Sequence, residues 1–361
     1  MDAATVARLR LHNQQIARHE CPEPGQIVSW LGAMQAQDYA GALWSIGLRL
    51  PAATIAQVEQ AVGDRQVVRT WALRGTLHFV AAADMRWLLA LLAPRNIARS
   101  ARRQRQLELD EAVFALSRAA VEAALAGGGP LTRATLLQSL ERAGVSTAGQ
   151  RGYHILWRLA NDGVICFGPS AGTQQTFVLL DEWLPATTAF DREQAIGELA
   201  RRYFTSHGPA TLRDFTWWSG LSAGEARAGL DLVKPGLTGD DVDGQACWFA
   251  DSAPIAGTTE PSTYLLPGFD EYLLGYADRG AVLAPAHAPR IVPGGNGIFF
   301  PTVVIDGRVA GTWKRTLTRH AASLTYDLFA AGPASQAQAI AAAADRYGRF
   351  LGVGVSGVSA A

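Results

Sequence analysis

Two glutamines one residue apart, Gln35 and Gln37, stand in the stretch Met34-Gln35-Ala36-Gln37-Asp38, between apolar segments at 27–33 and 39–44. A buried amide left without a partner costs about 1–3 kcal/mol, so both side chains must be satisfied by something. Each offers a carbonyl acceptor and an NH2 donor, and a pair of them can hold and orient a water molecule. Joint action requires an extended or turning backbone, because residues i and i+2 on a helix point in roughly opposite directions. A loop after a helix meets that requirement. The same residues also suit helix capping or bonding to buried backbone, and their spacing leaves both readings open. Asp38, one residue on, is placed to bond the pair or to cap the next turn.

The elements that must position this stretch follow from periodicity. Val6, Leu9, Leu11 and Ile16 among Arg, Gln and Asn give an amphipathic helix over 5–18, and a second helix over 26–34 leads into the glutamines. After Pro51, Thr54 opens a helix to 62. Residues 67–73 and 76–80 are β-branched and aromatic around an Arg74-Gly75 turn, so they predict a hairpin. Helices followed by a hairpin describe a winged helix, a variant of the helix-turn-helix. The organisation repeats after Gly127-Gly128-Gly129-Pro130, with helices at 133–144 and 150–162. Strands at 163–167 and 176–180 flank a Gly-rich wing tip at 168–175. It repeats again with helices at 195–207, 212–219 and 222–232, and with strands at 237–242 and 246–250 around Asp243-Gly244.

The remainder is strand-rich at 264–276 and 297–314, with Asp306-Gly307 as a hairpin turn and a closing Ala-rich helix at 335–351. The last ten residues are expected to fray. The chain therefore reads as α+β and predominantly helical, with three tandem winged-helix units followed by a small C-terminal β domain. The units are 1–110, carrying the Gln-x-Gln motif and a basic helix, then 111–188 and 189–252, with the β domain at 253–361.

The basic helix is the second chemical feature. Asp84 caps an apolar helix over 85–92, and Pro94 opens a contrasting segment. Five guanidinium groups, Arg95, Arg99, Arg102, Arg103 and Arg105, follow with no acid before Glu108. Arg95, Arg99, Arg102 and Arg103 fall on one helical face, which suits either a stripe that tracks phosphates or a solvated surface. Arg69, Arg74 and His78 on the first hairpin, and Lys314 and Arg315 at a strand end, complete the residues assigned to nucleic-acid contact. His78 equally suits a structural role, and Trp217-Trp218 reads as core.

The 361 residues are 48% hydrophobic and 18% charged, which describes a globular chain long enough for several cores. With 32 basic and 32 acidic residues the net charge is zero, so any affinity for an anion must be local. Cys21, Cys166 and Cys247 are odd in number and widely spaced, which predicts buried thiols rather than disulfides or a zinc site. No segment resembles a signal peptide or approaches a membrane span, so a soluble cytoplasmic protein is expected. No nucleotide, flavin or metal motif occurs, and no cofactor is expected. The only lysines are Lys234 and Lys314, neither placed near the glutamines by the sequence, so Schiff-base catalysis is not expected.

Together the Gln-x-Gln after the second helix, the strand Arg74-Gly75-Thr76-Leu77-His78-Phe79-Val80, the three winged helices and the segment Leu266-Pro267-Gly268-Phe269-Asp270-Glu271-Tyr272-Leu273-Leu274-Gly275 carry a resemblance over nearly the whole chain. They resemble the winged-helix DNA-binding-domain superfamily that contains the AlkZ-type DNA glycosylases. The resemblance implies tandem winged helices around duplex DNA, with Gln35 and Gln37 as the catalytic pair that positions the hydrolytic water. It implies excision of cationic alkylated purines, including bulky adducts and interstrand crosslinks, by a monomer without metal, membrane or lyase chemistry. The competing expectation is a non-enzymatic winged-helix DNA-binding protein or transcription regulator, and a third is a scaffold that binds an alkylating drug or a protein partner.

Overall fold

The strands of this computed structural model fall into three sheets and helices carry about half of the described residues, which makes the fold α+β. Residues 1–187, 189–250, 262–318 and 320–361 are described. The expected boundary between 252 and 253 lies outside them. The chain divides into two units, Met1–Val58 with Gly197–Ala361, and Glu59–Ile196.

In the first unit the N-terminal helices are Ala3–Asn13, Pro24–Leu31 and Tyr39–Gly47. The first ends short of the expected residue 18, where Gln15 takes a left-handed φ of 60°. The second stops at Gly32, whose φ of 79° favours glycine, and this frees the chain to extend into the glutamine segment. Helices Leu212–Ser219 and Ala223–Val233 each begin with a capping box, Thr211 with Asp214 and Ser222 with Glu225. Strands Leu237–Val242 and Gln245–Ala250 pair across Asp243 and Gly244, both at positive φ as the two-residue hairpin demands.

A five-stranded sheet completes this unit, in the order Gly354–Ala360, Ala321–Leu328, Arg308–Leu317, Thr302–Ile305, Thr263–Leu266. All its pairs are antiparallel except the first, which is parallel. The last residues thus form a strand rather than a frayed end, because they add to the open edge beside Ala321–Leu328 and Val355 packs close to Gly348 of helix Ala334–Leu351. That helix also anchors the N-terminal part, since Tyr347 and Phe350 each place a ring 5.0 Å from Trp44.

In the second unit two hairpins share one sheet. Strands Val67–Trp71 and Leu77–Ala81 pair with each other, as do Ile165–Phe167 and Thr176–Leu179, and Arg69 opposite Phe167 joins them. Helices Met85–Gln106, Glu111–Leu125, Arg133–Arg142 and Arg151–Asn161 accompany the sheet. The last three of these helices share one buried core with Trp71, Phe167 and Phe177, to which Phe114, Leu136, Leu140, Ile155 and Leu159 contribute, and Ile97 of the first packs against it. The apolar helix over 85–92 and the basic segment are one continuous helix of 22 residues with Pro94 inside it. Proline disfavours a helix interior, but Pro94 lies on the exposed side while Trp87, Leu88, Leu91 and Leu92 are buried on the other, and that packing prevails.

Candidate active site

Beyond Gly32 and Ala33, Met34 and Gln35 form a two-residue strand, the chain bends at Gln37 and Asp38, and helix Tyr39–Gly47 begins. Extended backbone at this point meets the condition for two amides at i and i+2 to act together. They are not equivalent: Gln35 is only 9% exposed, whereas Gln37 is exposed. Asp38 is the N-cap residue of the next helix and bonds it through its carbonyl, to the Ala42 amide at 2.9 Å, rather than through its side chain. A Cβ on Gly41 would lie 2.6 Å from Asp38 Oδ2 and 3.4 Å from Pro267 Cβ, so glycine there admits the carboxylate close to the helix.

One buried acid, Glu271, holds this segment from behind. The residues 267–275 are not a strand: they turn at Gly268 and Phe269, the latter at φ 63°, and enter the short helix Glu271–Leu274. Glu271 is 1% exposed, and its Oε1 accepts the Gln35 amide at 2.8 Å while its Oε2 accepts Trp218 Nε1 at 2.9 Å. His207 Nε2 stands 3.6 Å from that second oxygen. Burial lowers the His207 pKa and outweighs the upward pull of Glu271, which favours a neutral ring near pH 7.

Asp270 is committed elsewhere. Arg49, fully buried, donates to both of its oxygens at 2.8 and 2.9 Å, and Ser45 Oγ donates to Oδ2 at 2.6 Å. Burial pushes the Asp270 pKa up, but the Arg49 charge and these hydrogen bonds prevail and hold it below its usual value. The guanidinium also donates to Gln14 O at 2.9 Å and to Ser45 O at 2.8 Å, so it ties the N-terminal helices to the acidic turn.

Lys314 and Arg315 lie on strand Arg308–Leu317 of the same unit, the lysine exposed and the arginine half-buried. Arg315 Nη1 donates to Tyr347 OH at 2.7 Å. Burial is the main cause that raises the Tyr347 pKa, against the pull of the Arg315 charge and hydrogen bond, which lower it.

In the second unit Arg99, Arg102 and Arg103 are exposed on helix Met85–Gln106, and Arg95 is half-buried. Partial burial, and then the like charge of Arg95, lower the Arg99 pKa, as expected of cations crowded on one face. Arg103 donates to Gln150 Oε1 at 2.8 Å, immediately before helix Arg151–Asn161. Arg74 sits at φ 55° in the Leu73–Gly75 turn. That turn is bound to both helices: Asn96 Nδ2 donates to Ala72 O at 2.7 Å and Trp157 Nε1 to Gly75 O at 3.0 Å. Arg69 and His78 are instead buried in the sheet. Arg69 lies over the Phe167 ring at 5.1 Å, and His78 Nδ1 meets Thr76 O at 2.9 Å.

The family described as DNA glycosylase AlkZ-like matches residues 28–350, a span that includes the glutamines, both acids, Tyr347 and the arginine helix. The chain belongs to the AlkZ-like DNA glycosylase family. It is 31% identical over 327 residues to the interstrand DNA cross-link repair glycosylase of Streptomyces sahachiroi, covering 84% of this chain and 85% of that protein. Against the solved structure of Streptomyces sahachiroi DNA glycosylase AlkZ, the TM-score is 0.80 at 26% identity, over 100% of both chains.

In this AlkZ-like chain the first unit brings together Gln35, Gln37, Asp38, Asp270 and Glu271. The second gathers Arg74, Arg95, Arg99, Arg102 and Arg103 around two helices. Arg49, Asp270 and Glu271 were not among the site residues expected from sequence, although a signal was present. Each charge interrupts an apolar run, Arg49 between Leu48 and Leu50 and the acids between Phe269 and Tyr272, and a buried charge demands a partner. Trp217-Trp218 was expected in the core. Trp218 is fully buried, but Trp217 is 45% exposed, with its indole N–H 3.3 Å from Leu274 O. Of the thiols, Cys166 and Cys247 are buried, while Cys21 is only half-buried. No helix among the described residues is long and apolar enough to cross a membrane.

Proposed function

We propose that this AlkZ-like protein is a monofunctional DNA glycosylase that hydrolyses the N-glycosidic bond of cationic alkylated purines, N7-alkylguanine and N3-alkyladenine, in duplex DNA. The observation that carries the proposal is the glutamine segment itself. It is an extended stretch between two helices, its buried member anchored through the backbone and its second member facing solvent. Its amides hold a water against C1′ of the damaged nucleotide. The water oxygen bonds to C1′ as the C1′–N bond breaks, the electron pair of that bond neutralises the cationic purine, and the proton of the water passes to solvent. The base departs neutral and needs no general acid, which suits a site built on amides. Carbonyl oxygens aimed at an oxocarbenium-like sugar add partial negative charge where positive charge develops.

The proposal extends to how DNA is held. Winged-helix units present the helix stripe of Arg95, Arg99, Arg102 and Arg103, together with Arg74, to phosphates, and Lys314 and Arg315 on strand Arg308–Leu317 add a further backbone contact. The named activity of the S. sahachiroi relative supports interstrand crosslinks as a further substrate. A crosslinked base cannot be fully extruded into a pocket, so an open site suits such a substrate.

The test is release of 7-methylguanine and 3-methyladenine from methylated duplex DNA by the full chain, with strand integrity followed in parallel. Free bases and intact strands bearing abasic sites are expected. No release of either base by folded protein would overturn the proposal and favour a sequence-specific, non-enzymatic DNA binder.

A further inference from the structure

We infer that Glu271 is a positioning residue for base excision, acting through the backbone of Gln35; the inference rests on the glutamine pair proposed above. Its carboxylate divides its two oxygens between two different donors, Oε1 to the Gln35 amide at 2.8 Å and Oε2 to Trp218 Nε1 at 2.9 Å. Both donors are N–H groups, and a carboxamide has only one acceptor oxygen. A glutamine at 271 would therefore turn its NH2 against one of them, which explains why a carboxylate occupies a site that is 1% exposed.

Trp218 closes the arrangement. The same indole that bonds Glu271 packs against Gly32, where a Cβ would lie 3.4 Å from its Cη2, and Gly32 ends the helix three residues before Gln35. Glu271 itself has little freedom, because the preceding Asp270 is fixed by Arg49 and Gly275 O accepts Tyr203 OH at 2.9 Å. Glu271 thus fixes the strand from which the Gln35 amide projects. Small misplacements of a reacting group are expensive, on the order of 10²-fold in rate for 1 Å.

The test compares single-turnover release of 7-methylguanine by wild type, Glu271→Gln, Trp218→Phe and the double variant Glu271→Gln/Trp218→Phe. DNA affinity and thermal unfolding are measured for each. Glu271→Gln is expected to lose about tenfold or more in rate with unchanged DNA affinity. The double variant is expected to recover, because removing the indole N–H lets the amide turn its oxygen to Gln35. In a Gln35→Ala background Glu271→Gln should bring no further loss. Glu271→Asp keeps both acceptors but withdraws them by one methylene. It should also slow excision, which supplies a second variant should the glutamine form unfold.

Wild-type rates in both Glu271→Gln and Glu271→Asp would overturn the inference while leaving the glycosylase reading intact. So would a double variant slower than either single change, or an undiminished loss in the Gln35→Ala background, since these mark a packing role. An inactive wild type would instead overturn the glycosylase reading itself.

Discussion

Gln35 is packed against the interior and Gln37 lies in solvent, a division of the proposed task for which the residues behind them account. Glu271 holds the backbone of the first, while Arg49 and Asp270 hold the turn that carries Glu271. Removing one partner of a buried ion pair strands the other, so Arg49→Ala should cost the unit Met1–Val58/Gly197–Ala361 about 3–5 kcal/mol in denaturant unfolding. Unchanged stability would contradict that role. The folded Asp270 pKa is depressed, so its contribution is present above the unfolded value of 3.8 and is lost as pH falls through the folded one. The break in the helix at the glutamines was legible in the sequence, while their role rested on the family resemblance. Glu271 showed only as a charge within an apolar run; its partner was not legible, because it lies 236 residues away and no local pattern records that distance.

At the scale of elements, helix Met85–Gln106 combines a buried apolar half with a cationic exposed half. Arg99 and Arg102 are exposed on it, and partial burial with the like charge of Arg95 lowers the Arg99 pKa. Arg99→Ala and Arg102→Ala should each weaken duplex binding about equally across sequences, and each should reduce the slope of log K against log salt by about one. A slope unchanged in both variants would remove this face from the interface. Most helices and hairpins were legible from period and turn chemistry, including Asp243-Gly244 and Asp306-Gly307, each at paired positive φ. Failures came where tertiary packing overrode local preference. Pro94 was read as a boundary but is carried inside a helix by the buried side chains around it, and Gly354–Ala360 was read as a frayed end but completes a sheet edge.

At the scale of the whole molecule, the first 58 residues fold with Gly197–Ala361, and the helix after the glutamine segment is clamped to the closing helix through Trp44, Tyr347 and Phe350. Such associations were not legible in the sequence because they pair segments some three hundred residues apart, for which periodicity carries no signal. Membership of the AlkZ-like family makes this a DNA glycosylase family protein, and the proposed hydrolysis of the N-glycosidic bond rests on the glutamine segment and the cationic helix. The most direct test of that mechanism is single-turnover excision of 7-methylguanine from duplex DNA by wild type, Gln35→Ala and Gln37→Ala, with DNA affinity measured alongside. The glutamine-pair mechanism predicts that each substitution lowers the rate by about 10²–10³ while binding persists. Active wild type with both variants excising at the same rate would contradict it.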